Sequence, residues 1–450
     1  MLRFLCKRRA ATAFVSRCRS FSSGVDCGNG SSTFAVMSFG DGSQGALGLP
    51  SSVIGFGADA YEPTIVPGLP PDVVSVSAGH YHSLVVTAEG ELWAWGRNNE
   101  GQLGGDLLEP RNLWNEPKRV EGLSNVKVQA AFASGVISVA IGDDGSIWTW
   151  GRSKRGQLGH GKGLMEALMP SRVKALAGED ITKVSLGWGH VLAQTADGKL
   201  FGWGYSADGR LGRLEETVKT SPLDSNAELP RRHKMTPSEA LDVAEKLVLE
   251  SIEKEKDMPI VWEPYLIEEL QSLPVTDISC GLDHSLLMCG DNTMLSGGSN
   301  IYGQLGREHQ GVGLFPVDIS FRSLSVASGL GHSLAICELP TAGGNIFRKA
   351  LFSWGWNGSS QLGRQGPESK PLVVEGLLEE NPATVSCGRV HSLATTSTGE
   401  LWAWGCGKNG RLGLGSSFDE SRPTLVDIGD YKVVQAVAGF DHNLLLVAVT

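Results

Sequence analysis

Two short phrases alternate along almost the whole chain, and any fold has to accommodate seven rounds of them. The first is Gly-x-x-His followed by small or apolar residues. It appears as Gly79-His80-Tyr81-His82-Ser83-Leu84, and returns with His190, His284, His332, His391 and His442 at its fourth position. A seventh copy reads as Gly135-Val136-Ile137-Ser138, with Ser in place of His. The second phrase is apolar, Trp, small, Trp, Gly, then a polar stretch ending in Leu-Gly. Leu92-Trp93-Ala94-Trp95-Gly96 with Gly101-Gln102-Leu103-Gly104 is a full copy, as is Leu401-Trp402-Ala403-Trp404-Gly405 with Gly410-Arg411-Leu412-Gly413. From the His (or Ser138) to the first residue of the Leu-Gly phrase the spacing runs 19, 18, 19, 19, 28 and 19 residues. The 28 reflects extra residues around Gly343–Ala350.

Each repeat is about 50 to 57 residues long, a period that belongs to propellers and arrays. Apolar runs such as Ser83–Thr87, Glu91–Trp95 and Ser392–Thr396 are short and end at Gly turns, so they read as strands. Four such strands make one blade. The chain begins on a second phrase and ends on a first phrase. In a ring, Phe34–Phe39 would therefore pair in one blade with Asn443–Val449 and remove both free sheet edges. The expected fold is all-β: a seven-bladed β-propeller over residues 33–450, closed by pairing its N- and C-terminal strands, with one partly helical insertion.

These phrases resemble the regulator of chromosome condensation repeat family, whose members are seven-bladed propellers. The family includes a nuclear guanine-nucleotide exchange factor for the GTPase Ran and a plant ultraviolet-B photoreceptor. The resemblance covers about residues 33–450 and points to a plant mitochondrial-type member. The photoreceptor uses clustered tryptophans in Gly-Trp-Arg-His-like phrases. Here Trp fills that slot once, at Trp188, while the other copies carry His80, Val136, Leu282, Leu330, Arg389 and Phe440, so photoreception is not expected.

The six histidines, His82, His190, His284, His332, His391 and His442, invite a metal or catalytic reading. One per blade, spread around a ring, they cannot converge as ligands. The expected role is structural, each imidazole bonding neighbouring backbone and packing between blades. The Trp pairs read as blade packing. There is no Gly-x-x-x-x-Gly-Lys-Ser/Thr, Gly-x-Ser-x-Gly or His-Glu-x-x-His. No enzyme, cofactor or metal is expected. Six cysteines beyond residue 18 form no Cys-x-x-Cys pair, which disfavours a zinc ribbon or redox motif. No apolar run approaches the length of a transmembrane helix, so no membrane insertion is expected.

The repeat falls silent from Gly212 to Pro274. His284 follows His190 by 94 residues, against about 50 elsewhere. The segment 213–274 is expected to be an inserted helical arm. Thr236-Pro237-Ser238-Glu239 reads as a capping box, and Leu241, Ala244, Val248 and Ile252 line one face of the helix that follows. A second short helix is expected over Tyr265–Leu273. The stripe is a candidate partner-binding surface, or else packs back on the propeller.

Residues 1–22 carry basic residues, among them Arg3, Lys7, Arg8 and Arg9, and no acid; the first carboxylate is Asp26. That is the pattern of an organelle transit peptide, with the mitochondrial matrix as the expected destination and the chloroplast as the alternative. Its removal would carry the net charge from −10 to −16. So acidic a chain is not suited to grip nucleic acid broadly. The expected function is a non-enzymatic mitochondrial scaffold whose protein partners are RNA-processing factors, with organellar RNA contacted indirectly. It would support transcript splicing and respiratory complex I biogenesis, as the resemblance implies for organellar members. The alternative is a guanine-nucleotide exchange factor acting on an organellar GTPase.

Overall fold

The structure, a computed structural model, describes residues 34–50, 58–105, 113–213, 258–340 and 347–449. Seven four-stranded antiparallel sheets account for nearly all of it. Each is a blade, numbered here from the one that closes the ring. In blades 2 to 7 the four strands follow in sequence, as in Val73–Ala78, His82–Thr87, Leu92–Arg97 and Leu113–Arg119 of blade 2. The first strand of each blade meets the first strands of its neighbours around the axis, and the fourth lies outermost. In blade 1 the order is Tyr431–Ala438, His442–Val449, Phe34–Gly40 and Ala60–Ile65. Phe34 through Gly40 pair residue for residue with Ala448 through His442, the closure expected from the half-repeat offset.

The core is divided. Seven clusters of buried apolar side chains each fill the space between two adjacent blades. Both faces of an inner strand are therefore covered, which is why strands such as Ile137–Gly142 and His284–Cys289 are buried along their whole length instead of alternating.

Two expectations are corrected. Residues 260–274 are not part of a helical arm. Ile260–Leu266 is the outermost strand of blade 4, paired with Phe201–Tyr205, and the expected helix over Tyr265–Leu273 is reduced to a 3-10 turn at Glu268–Leu270. The β-branched and aromatic run Ile260-Val261-Trp262 favours a strand, and Ile267 and Leu270 fill the core between blades 4 and 5. The rest of the expected arm, with Leu241, Ala244, Val248 and Ile252, lies outside the described residues, as does the expected transit peptide.

The second correction concerns blade 3. Its second strand pairs Ile137 with Gly151, as His82 pairs with Gly96 in blade 2 and His391 with Gly405 in blade 7. Ile137, and not Ser138, fills the histidine place. Ser138 corresponds to the serine after the histidine, and Ser134 to the glycine of the phrase.

Candidate functional site

The histidines are joints between blades. Each imidazole Nε2 meets the residue after the histidine in the next blade: His82 with Ser138 at 2.8 Å, His190 with Ser285 at 2.9 Å, His284 with Ser333 at 2.9 Å. The series continues with His332 and Ser392 at 3.1 Å, His391 and Asn443 at 2.7 Å, and His442 and Ser83 at 3.0 Å. The partner is a side chain of the neighbouring blade, where a backbone group was expected. Each serine hydroxyl in turn donates to a backbone carbonyl just before the Leu-Gly of the preceding blade, as Ser138 does to Gln102 at 2.7 Å and Ser392 to Gln361 at 2.8 Å. A hydroxyl has one proton, so the serine must accept from the histidine, and Nε2 carries the hydrogen. Asn443 obeys the same logic, its Oδ1 facing His391 and its Nδ2 donating to Arg411 O at 2.8 Å.

The same carbonyls receive the indole N–H of the buried tryptophan of the next blade, at 2.8 Å from Trp95 to Ala46 and 2.9 Å from Trp150 to Gln102. Trp203, Trp354 and Trp404 repeat this. Phe39 and Gly297 occupy the tryptophan place in blades 1 and 5. The two phrases are thus the two sides of one interface.

One interface departs. Between blades 3 and 4 the histidine place is Ile137 and the serine place is Val191, both fully buried in one apolar cluster. A polar pair has been exchanged whole for an apolar one, so neither position carries an unpaired donor or acceptor. Ile137→His alone should cost about 2 kcal/mol, because its Nε2–H would face Val191. Adding Val191→Ser and Ser134→Gly should recover most of that. Urea unfolding of the wild type, Ile137→His, the pair Val191→Ser with Ser134→Gly, and the triple variant measures the coupling, and simple additivity would refute the pairing.

None of this is reactive. Burial holds the histidine pKa values down, to about 3 for His82, His284, His332 and His442 and about 4 for His391. His190 is also held far below the usual range, by burial and then by Arg210. Among the described residues no group of three or more His, Cys, Asp or Glu is placed to hold a metal ion.

The surface where a partner could be met is the face formed by the turns between first and second strands and the loops between third and fourth. Arginines there are held against rings or carboxylates of adjoining blades. The Arg155 guanidinium sits 3.4 Å from the Trp188 ring centre. Arg210 pairs with Asp283 at 2.6 Å, and Asp441 is approached by Arg411 at 2.9 Å and Arg389 at 3.4 Å. His80 stacks on Phe440 at 4.4 Å, its pKa lowered to about 4 by burial. Trp188 is flanked in the equivalent turns by Gly135 and Leu282, so these turns bring no second tryptophan beside it. The stretch 214–257 leaves this same face after Arg213, whose backbone N–H donates to Glu269 at 3.1 Å. The serine joints and the stacked Arg155 were not singled out from the sequence. The lone 18 among spacings of 19 was the available signal for blade 3, since counting from Ile137 restores 19.

Comparison with known proteins gives a consistent picture. The model of the RCC1-like domain matches residues 35–445. The ultraviolet-B receptor UVR8 of Arabidopsis thaliana is 27% identical over 404 residues, covering 87% of this chain and 77% of the receptor. The secretion-regulating guanine nucleotide exchange factor of Mus musculus is 30% identical over 323 residues, covering 68% of this chain and 61% of that protein. Prp20p of Saccharomyces cerevisiae, studied for its binding to Gsp1p and histones, superposes with a TM-score of 0.71 at 21% identity, over 94% of this chain and 93% of its own, and so shares the fold.

Proposed function

Because this chain belongs to the RCC1-like domain family, we propose that it is a non-enzymatic interaction scaffold of the mitochondrion. It would support the processing of organellar transcripts, splicing above all, and through them the biogenesis of respiratory complex I. A role as protein-interaction scaffold or regulator is common to the family's propellers. The observation that carries the reading is the face just described. Its arginines and aromatics are fixed by the blades, and the insertion 214–257 joins the third and fourth strands of blade 4 on it. A rigid surface beside a long insertion suits recognition better than chemistry. The mitochondrial part rests on the basic, acid-free start of the sequence. The net charge of −10 favours acting on RNA through partner proteins.

A second reading, guanine-nucleotide exchange on an organellar GTPase, is favoured by the mouse relative's name and by Prp20p's binding to Gsp1p. One experiment separates them. Tagged full-length protein is purified from mitochondria, and bound proteins and crosslinked RNA are identified. Splicing or ribosome-assembly factors with organellar transcripts support the scaffold; a GTPase enriched when nucleotide is stripped supports exchange. Absence from mitochondria would defeat both. A variant lacking 214–257 keeps the outer strand of blade 4, so it should melt within a few degrees of the wild type yet lose its partners. Unchanged partners would remove the segment from the function.

A further inference from the structure

Blade 6 differs from the other six on the opposite face. Its second and third strands, His332–Pro340 and Phe347–Gly355, are nine residues each and pair out to Pro340 and Phe347. Their neighbours stop short. On the inner side the last ladder pair is Ser323 with Cys337, followed by Glu338 N–H to Arg322 O at 2.9 Å. On the outer side Leu372–Val373 pairs only at Ser353 and Phe352, and the Val374 N–H reaches Leu351 O at 2.8 Å. Alternation from Leu351 turns the backbone groups of Lys349 and Phe347 to the same outer edge. Among the described residues nothing bonds to them there. Phe347 is 61% exposed beside this edge.

An open strand edge with an exposed aromatic is a template for another strand. The charge around it selects which strand. The linker that follows Val374 carries Glu375, Glu379 and Glu380, and Glu379, its side chain 87% exposed, reaches Arg348 of this strand. Two of the local cations already face acids of the chain: Arg348 lies 3.4 Å from Glu379, and Arg322 lies 3.3 Å from Glu338, the residue across the hairpin from Lys349. The next linker of this face, in blade 7, adds Asp427 and Asp430 and no cation. We propose that the outer edge of Phe347–Lys349 receives an extended, lysine- or arginine-rich segment of a partner protein as an added β-strand. Its backbone would pair with Phe347 and Lys349, an apolar side chain would cover the Phe347 ring, and its cations would meet Glu375, Glu379 and Glu380.

The test uses the full-length protein and two fluorescent peptides, alternating Val-Lys and alternating Val-Glu, read by anisotropy. The Val-Lys peptide should bind, more weakly as salt rises, and the Val-Glu peptide should not. Lys349→Pro, which removes an outward N–H, should weaken binding at least tenfold, as should the pair Glu379→Lys and Glu380→Lys. A Val-Lys peptide N-methylated at alternate residues should fail on the unaltered protein, which covers the case of a variant that does not fold. Equal binding of both peptides, retained binding of the N-methylated peptide, or no binding by the wild type would each overturn the proposal.

Discussion

Lowering the pH from 7 towards 5 should unfold this protein in a steep step, although the six histidines of its joints are buried from solvent. In an unfolded chain a histidine takes up a proton near pH 6.5. In the ring, burial lowers that to about 3 or 4 at five of the six joints, and far down at His190 as well. The bonding explains why a proton is refused. Nε2–H is already given to a serine or asparagine, and the Nδ1 atoms of His82, His190, His284, His332 and His391 are buried with no hydrogen-bond partner among the described residues. A charge placed there would have nothing to bond. The unfolded state therefore binds more protons between pH 6.5 and about 4. Stability is complete above that window and falls as pH decreases through it. Each histidine contributes up to about 1.4 kcal/mol per pH unit, so six approach about 8 kcal/mol per unit. A net stability of about 5–15 kcal/mol is exhausted within one to two units. Urea unfolding followed by tryptophan fluorescence across pH 7.5 to 5 measures the slope. A flat stability over that range would mean that the joints accept protons, and the tautomer assignment would be wrong.

The second large effect is steric. Gly388→Ala should cost roughly 3 kcal/mol, at the upper end of what overpacking does. A methyl group there would stand 2.1 Å from Cε1 of His391, and Gly187, Gly281 and Gly329 are equally close to their own histidines. The ring has no room to retreat, because Nε2 is tied to Asn443 at 2.7 Å. Combining Gly388→Ala with His391→Ala should cost clearly less than the two changes added together, since the small residue and the ring are one device. Blade 3 supplies a natural control. Where Ile137 replaces the ring, Ser134 replaces the glycine, so Ser134→Gly should shift stability by less than 1 kcal/mol. Thermal melts of these variants decide the matter: additivity of the pair, or a costly Ser134→Gly, would break the link.

Most of the fold was legible because the ring makes each blade solve the same problem. Gly79-x-x-His82 recurs since the imidazole lies on the glycine, and Leu103-Gly104 recurs since the next blade's tryptophan lies over Gly104. Such contacts fix spacing, and spacing is visible in a sequence. The closure of Phe34–Gly40 on His442–Val449 followed from the offset of the two ends. What escaped was whatever depends on the partner blade. The histidine's acceptor lies at least 49 residues away, and 95 away for Ser285, so Ser285 and Asn443 looked like filler. The blade 3 register slipped by one because Gly135 imitates the glycine of the phrase. The stretch after the insertion was misread because Ile260–Leu266 pairs with a strand more than 50 residues earlier, beyond any local pattern.

The closing blade also sets an order of events. Phe34–Gly40 is made early in synthesis, yet both its inner neighbours, His442–Val449 and beyond it Tyr431–Ala438, are made after every strand of blades 2 to 7. A growing chain can assemble blades 2 to 7 one after another, each resting on the last, while its first strand waits alone. Until Val449 has left the ribosome there is an arc and no circle. Docking His442–Val449 on Phe34–Gly40 turns the arc into a circle, so this one strand pair is the latch of the whole molecule.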